Sequence, residues 1–332
     1  MCRSQQTILT NNTRKYLNLI IKIAVLLLAG WYIYSKVSNQ HNLYEFKLLM
    51  KGLDKNLVTG VLIAVVFLMF CNWFLEIVKW KFISRRIEQI SWWRATEAVF
   101  CGLTWAIFTP NRIGEYGGRV MYLKAENRAS GAVAMGVGHF AQLVLTSIFG
   151  ALSIAWFMTT FLSLQPGMKI LAWAAGIIYS AVFLLIFFNV HWVDKLVRRI
   201  NFLKKIQPFF SVLEDYNRRE LFVILGLSLS RFIIFTSQYI ILMEVILPDL
   251  PFLSMVLMIF ILFFIQSAVP SLDLFDFSVR SFVASNLYSY ITTQEIAVMA
   301  IVSCIWFVNL ILPAILGSFF AIKVNYLSDN KS

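Results

Sequence analysis

The chain has 332 residues, of which 59% are hydrophobic and only 14% charged, and its formal net charge is +12. A soluble domain carries about 45–50% apolar and about 25% charged residues, so this composition excludes an ordinary water-soluble fold. The basic charge does not indicate nucleic-acid binding, because the lysines and arginines sit between apolar runs, where topology and anionic lipid favour them. The cysteines form no CxxC pair and predict neither disulfides nor a metal site.

Long, continuous apolar runs without polar–apolar alternation predict an all-α polytopic membrane protein rather than a membrane β-barrel. A transmembrane helix needs about 20 residues to cross about 30 Å of hydrocarbon. Segments that reach or approach this length are 17–34, 57–80, 131–160, 169–190, 221–247 and 295–322. We therefore expect about six full transmembrane helices, in a single integral membrane domain that covers residues 1–332.

Two further apolar segments, 95–109 and 254–269, are too short to cross, and each runs into a proline, Pro110 or Pro270. A polar stretch and a second, weakly apolar helix follow each proline. The flanking basic residues predict that 95–118 and 254–291 are broken, re-entrant helical hairpins of opposite orientation, related as an inverted repeat. The alternative is that each short pair forms two ordinary tilted spans, for a total of roughly eight or more.

Lysines and arginines also set the expected orientation. The heavily basic loops, including 79–94 and 191–220, predict that both termini are cytoplasmic in the cell membrane, although lysines in loop 35–56 partly oppose this scheme. Within 191–207, apolar residues recur at steps of three and four, with basic residues on the other face. This pattern predicts a basic amphipathic helix on the inner leaflet, or alternatively a solvated connector.

The stretch 109–119, TPNRIGEYGGR, follows the first short apolar segment directly. Pro110 removes a backbone donor and ends the helix. Three glycines after it are expected to permit tight turns and close backbone approach, and with the two prolines they form the expected structural hinges. These glycines are Gly114, Gly117 and Gly118.

Charged residues in this stretch have helical spacing. Arg112 and Glu115 lie three residues apart, and Glu115 and Arg119 lie four apart, so each pair would share a helix face. One carboxylate between two guanidiniums leaves a net positive site, and the planar fork of arginine suits a phosphate oxyanion. Tyr116 lies beside these residues as a further candidate. The alternative is an internal ion-pair network that fixes the hairpin and binds nothing.

The second hairpin repeats the combination of a half-helix, a proline, acids and an arginine. Asp273 and Asp276 are expected to pair with Arg280 or with an arginine of the first hairpin, and they are candidates for proton coupling. The alternative is helix capping by Ser271 or Asp273.

Other ionisable residues lie inside predicted spans. Arg231, in 221–247, is the strongest of them, because a charge at that depth needs a partner or a cavity. His139 is expected to hydrogen-bond a neighbouring helix rather than to titrate. Glu76 and Lys79, near the end of 57–80, are weaker candidates.

Enzyme motifs are missing from the sequence, which contains no P-loop, HExxH or GxSxG. No cofactor and no metal are expected. Membrane-embedded transferases can work with a few acidic residues, so this observation does not exclude catalysis.

The Pro-x-Arg-x-Gly-Glu-x-x-x-Arg motif at 110–119, after a short apolar segment, resembles the signature of the transmembrane region of lysylphosphatidylglycerol synthases. The second hairpin, which opens with Pro270 and Ser271, is similar to the second short motif of that family. It differs from the family in the residues that follow, LDLFD, where family members usually carry a glycine-rich turn. The same region occurs alone in flippase-like membrane proteins, and the resemblance covers roughly residues 17–323.

The resemblance implies movement of a lipid with an anionic or aminoacylated headgroup between leaflets. We expect membrane lipids as partners, and a phospholipid or polyprenyl-phosphate type of substrate. The alternative is a membrane-embedded transferase or accessory subunit that acts on lipid phosphates in envelope synthesis. The predicted substrate-binding residues are Arg112, Glu115, Tyr116, Arg119, Arg231, Asp273, Asp276 and Arg280.

Overall fold

The computed structural model describes residues 44, 48, 51–109, 111–199, 207–269 and 276–323, which contain helices and no strands. This confirms the all-α prediction. The predicted span 17–34 lies outside the described residues, as do Pro110, Pro270 and Asp273. In chain order the helices are α1 (Lys55–Ser84), α2 (Trp92–Ile107), α3 (Ile113–Val120), α4 (Arg128–Phe161), α5 (Pro166–Phe188), α6 (His191–Arg199), α7 (Gln207–Phe210), α8 (Arg218–Ile246), α9 (Phe252–Ala268), α10 (Asp276–Tyr288), α11 (Glu295–Trp306) and α12 (Leu312–Lys323).

Five of the predicted spans are confirmed as helices long and apolar enough to cross a membrane. The last of them, Glu295–Ala321, combines α11 and α12 through a π-helical segment, Phe307–Ile311. Apolar side chains cover the outside of the bundle, as on α5, where Ile170 is 71% exposed. Such surfaces are stable against hydrocarbon rather than water. The spans are Lys55–Ser84, Ala125–Phe161, Pro166–Phe188, Arg218–Ile246 and Glu295–Ala321.

The two predicted hairpins appear as pairs of shorter helices. α2 has 16 residues and α9 has 17, so they rise only about 24–26 Å. α2 packs against α3 and α12, and α9 packs against α4 and α10. The re-entrant path and the inverted-repeat relation of the pairs stay predictions.

The turn between α2 and α3 is formed by residues other than the predicted glycines. The positive φ angles are those of Asn111 (52°) and Arg112 (57°), and no glycine in the described part of the chain has one. The expectation that glycines form this turn is therefore wrong. Close backbone approach is confirmed at Gly118, where an added Cβ would lie 2.6 Å from the Cα of Gly102. It is also confirmed at Gly114, whereas a Cβ at Gly117 would meet nothing within 4 Å.

The connector after α5 begins with the helix predicted there, although its described length is only His191–Arg199. Asp194 is fully buried and pairs with Arg198 at 2.5 Å, while Trp192 remains 51% exposed. The segment 200–206 lies outside the described residues. Whether this helix lies on the inner leaflet stays a prediction.

A hydrogen-bonded contact joins the loop before α2 to the segment before α4. Glu88 Oε2 accepts from the backbone N–H of Lys124 at 2.9 Å and from Asn127 Nδ2 at 3.1 Å. Partial burial acts to raise the pKa of Glu88, but these hydrogen bonds outweigh it and hold the pKa below its usual value. The contact fixes the α2–α3 pair against the bundle.

The centre of the bundle is formed by α1, α4 and α8. α1 packs along α8, and α4 packs against α5, α8 and α9. Aromatic side chains fill the contacts, as where Phe149 stacks on Phe232 at 4.9 Å between ring centroids. This packing brings polar residues of α1, α3 and α8 to one level inside an otherwise apolar bundle.

Candidate functional site

Glu76 lies at the centre of a buried ion network. Its carboxylate is 2.8 Å from Lys79 Nζ and accepts from Arg119 Nη1 at 2.6 Å. It also forms an ion pair with Arg231 of α8. The Glu76 side chain is only 2% exposed, and a buried charge of this kind persists only when it is paired and hydrogen-bonded.

The network continues into α3. The two pairs expected from helical spacing both form: Arg112 Nε donates to Glu115 Oε2 at 2.8 Å, and Arg119 pairs with Glu115. Since Arg119 also contacts Glu76, an unbroken series of ion pairs connects the start of α3 to α1 and α8. Glu115 and Arg119 are both buried. These two residues therefore fit the alternative interpretation, an internal ion-pair network that fixes the hairpin.

Arg231 has both a partner and a cavity. Besides Glu76, it donates from Nε to Asn72 Oδ1 at 2.8 Å. Its guanidinium carbon lies 5.2 Å from the centroid of the Trp73 ring, a cation–π contact. Asn72 and Trp73 of α1 thus hold Arg231 at the wall of a cavity.

This cavity has a volume of about 320 Å³. Its wall includes Arg112, which immediately precedes α3, together with Arg231 of α8 and Arg280 of α10. Arg119, one of the predicted substrate-binding residues, does not belong to the wall and lies in the buried ion network instead. The described lining residues are Asn72, Trp73, Arg112, Gln142, Thr146, Arg231, Phe232, Phe235, Phe263, Gln266, Ser267, Arg280, Ile305, Trp306, Asn309 and Leu310.

Arg280 connects the second hairpin to the cavity. Its Nη1 donates to Gln266 Oε1 at 2.7 Å, across from α10 to α9. The expected pairing with Asp273 and Asp276 cannot be placed, because Asp273 lies outside the described residues and only the backbone of Asp276 is described. The arginine itself reaches the same cavity as Arg112, as expected for residues of one site.

Tyr116 lies away from this cavity. Its hydroxyl is 2.9 Å from Nδ1 of His139, which confirms the expectation that this histidine bonds a neighbouring helix. Tyr116 lines a second, mainly apolar cavity of about 430 Å³, between α4 and the connector that includes α6 and α7. Glu115 contacts a residue of each region, since it pairs with Arg112 of the first cavity and is 3.8 Å from Nε2 of His139, the partner of Tyr116.

The atoms that could hold a metal ion do not form a favourable cation site. Among the described residues, Glu76, Glu115 and His139 place one ligand atom each within 4.8 Å of one another. Both carboxylates are already neutralised by Lys79 or by arginines. A divalent cation would have to displace these side chains against their repulsion, so the arrangement is that of an ion-pair network.

The balance of charge around the cavity favours an anion. In the described network and wall, Glu76 and Glu115 face five basic residues, which are Lys79, Arg112, Arg119, Arg231 and Arg280. Even if Asp273 and Asp276 of the second hairpin both lie here, basic side chains outnumber acidic ones by five to four. An oxyanion with two or more acceptor oxygens suits the guanidinium groups at this wall.

Sequence reasoning underestimated several of these residues. Glu76 is only a weaker candidate in the sequence, and its partners Arg119 and Arg231 come from distant parts of the chain that no local pattern connects to it. Gln142, Gln266 and Asn309 were not singled out at all. The signal that could have found them is their polarity inside apolar helices, where an amide needs a partner.

Comparisons with known proteins agree with the resemblance seen in the motif. The sequence model of a family described as the lysylphosphatidylglycerol synthase TM region matches residues 19–317, nearly the whole chain. Neither the curated proteins nor the solved structures contain a match to this chain.

Proposed function

Since the chain belongs to the family of the lysylphosphatidylglycerol synthase transmembrane region, we propose that it moves an anionic lipid or lipid-linked substrate between the leaflets of the cell membrane. The substrate is of the phospholipid or polyprenyl-phosphate type, and both termini of the protein lie in the cytoplasm. The family and the helices make the chain a multi-pass membrane protein. The nature and direction of the transport belong to the proposal.

The observation that carries the proposal is the convergence of Arg112, Arg231 and Arg280 on one cavity. Cationic side chains are costly inside a membrane and usually face a cavity or a charged partner. Arg231 lies near the middle of α8 and contacts Asn72, which lies near the middle of α1. If these helices cross the bilayer, the arginines lie at mid-depth, where transporters bind their substrates between broken helices.

The cavity wall suits both ends of such a substrate. The arginines supply donors for a phosphate, and the aromatic rings of Phe232, Phe235 and Phe263 supply an apolar surface. The buried network behind the arginines holds their positions, since Glu115 pairs with Arg112 and Glu76 pairs with Arg231. A charged headgroup can therefore exchange its water for fixed donors without large rearrangement of the side chains.

The test is a lipid-flipping assay in proteoliposomes with fluorescent phosphatidylglycerol and an external quencher. We expect wild type to make the inner-leaflet lipid accessible, and Arg112→Ala to slow this by at least about tenfold, the effect of losing about 1.4 kcal/mol. Glu115→Gln should show a loss in the same direction, because it releases Arg112. The matched control is Arg94→Ala, which removes an arginine that is 43% exposed and pairs only at 3.6 Å.

Unchanged flipping by a well-folded Arg112→Ala protein would overturn the assignment of the site. No flipping by wild type across a panel of anionic lipids would overturn transport. The transferase alternative would then be tested in detergent, where no leaflets exist and only chemical turnover of the lipid can be detected.

A further inference from the structure

Side-chain amides form a second group of polar residues at the arginine-lined cavity. Gln142 of α4, Gln266 of α9 and Asn309 of the π-helical segment all belong to its wall. They come from three elements that are distant in sequence, so helical periodicity alone does not explain their convergence. None of them is needed for the ion network around Glu76.

Each of these amides carries a buried atom without a hydrogen-bond partner among the described residues. The atoms are Oε1 of Gln142, Nε2 of Gln266 and Oδ1 of Asn309. The other end of two of the amides is occupied, since Gln266 accepts from Arg280 and Asn309 donates to the carbonyl of Ile305. Unpaired polar atoms in a buried place are unfavourable, and a ligand that bonds them recovers that free energy.

The backbone at Asn309 supports a role in binding. Phe307–Ile311 is π-helical, which interrupts the regular helix between α11 and α12 at the cavity. Single π-helical turns are rare and occur frequently at functional sites. Asn309 is only 7% exposed and stands between two apolar residues in the chain, Val308 and Leu310.

We infer that the amides Gln142, Gln266 and Asn309 bind the hydroxyl groups of the substrate headgroup, while the arginines bind its phosphate. The substrate class is an anionic phosphodiester that carries hydroxyl groups, such as a glyceryl or a glycosyl ester. Amides offer both donors and acceptors, and so do hydroxyl groups, whereas simple alkyl or ammonium headgroups lack this match. This inference rests on the proposed function and specifies its substrate.

The test uses three water-soluble octyl phosphodiesters that differ only in the second ester group: ethyl, glyceryl and glucosyl. Their binding to the full-length protein in detergent is measured by isothermal calorimetry. We expect wild type to bind the glyceryl or the glucosyl ester at least about tenfold more tightly than the ethyl ester, because a site built for hydroxyl groups rejects an analogue that lacks them. A stronger glyceryl ester indicates a phospholipid, and a stronger glucosyl ester a lipid-linked sugar.

The variants Asn309→Leu and Gln142→Leu should each reduce this preference by about tenfold, the size expected for one hydrogen bond to an otherwise unpaired group. Two variants are used so that misfolding of one does not end the test. The matched control is Asn189→Leu, because Asn189 also donates to a carbonyl four residues earlier, that of Leu185, but lies outside this cavity. The control should keep the full preference.

Equal binding of all three esters by wild type would overturn the hydroxyl inference and leave the proposed anion site intact. A preference that persists in both amide variants would overturn the assignment to these residues. Binding of none of the esters would contradict the proposed function as well.

Discussion

At the scale of single residues, Glu76 connects most of the charges that the site needs. It contacts Lys79 of its own helix, Arg119 of α3 and Arg231 of α8. Each of the basic partners Lys79 and Arg119 is about as buried as Glu76 itself. Removal of the carboxylate therefore leaves Lys79 and Arg231 without the carboxylate that they contact, whereas Arg119 keeps its pair with Glu115.

We predict that Glu76→Gln lowers the free energy of unfolding by about 3–5 kcal/mol, the usual effect of breaking a buried ion pair at one partner. The measurement is unfolding in detergent with increasing dodecyl sulfate, followed by circular dichroism. Glu126→Gln, at an exposed position just before α4, is the control and should unfold like wild type. Equal unfolding of the two variants would mean that Glu76 does not hold the network together.

The sequence predicts the ion pairs of Glu115 with Arg112 and Arg119, but it does not predict the rest of the network. The spacing of Arg112, Glu115 and Arg119 predicted two pairs: Glu115 and Arg119 share the short helix α3, and Arg112 is the residue that immediately precedes it. The contacts of Glu76 with Arg119 and Arg231 depend on how α1, α3 and α8 pack, and no local pattern contains that information. Arg231 was identified correctly for a general reason, the cost of an unpaired charge inside a membrane.

At the scale of helices, the α2–α3 pair depends on contact between two glycines. Gly118 and Gly102 lie so close that an added Cβ on Gly118 would be 2.6 Å from one backbone atom of Gly102 and 2.8 Å from another. Because the obstacle is backbone, it cannot move aside as a flexible side chain would. This contact positions α3, whose Arg119 pairs with Glu76 of α1.

We predict that Gly118→Ala destabilises the protein by about 1–3 kcal/mol, the usual cost of overpacking. Gly117→Ala is the matched control, since it lies in the same helix but faces open space. Both variants gain the same helix propensity, up to about 1 kcal/mol, so the difference between them isolates the clash. The measurement is the thermal unfolding midpoint in detergent, and equal midpoints for the two variants would contradict close packing of α2 on α3.

Element boundaries were largely predictable because apolar length is a strong signal in a membrane protein. Five predicted spans match helices of the structure. The backbone conformation of the turn between α2 and α3 was less predictable, since the positive φ angles belong to Asn111 and Arg112 rather than to a glycine. Asparagine adopts this conformation readily, but an arginine does so only when its surroundings hold it there, as the ion pair with Glu115 does here.

At the scale of the whole molecule, the cavity is the feature that sequence reasoning could not predict. Its wall takes residues from α1, α4, α8, α9, α10, α11, the start of α3 and the π-helical segment. Such a wall exists only after the helices are packed. The arginines on it were nevertheless predicted, because charges inside apolar segments point to a cavity wherever that cavity is formed.

The molecule combines an apolar exterior, a buried ion network and a cavity lined by three arginines. The network fixes the arginines, and the arginines make the cavity attractive to a phosphate. The aromatic rings on the same wall and the lipid-facing exterior suit a substrate that is partly hydrocarbon. We therefore propose that the protein transfers lipids with an anionic headgroup in preference to lipids without net charge.

The most direct test compares wild-type proteoliposomes that contain fluorescent phosphatidylglycerol with otherwise identical ones that contain fluorescent phosphatidylcholine. Protein-free vesicles give the background. We predict that the phosphatidylglycerol probe crosses at least about tenfold faster, since the arginines of the cavity distinguish the two headgroups by net charge. Equal rates for the two lipids, or rates no higher than in protein-free vesicles, would contradict the account.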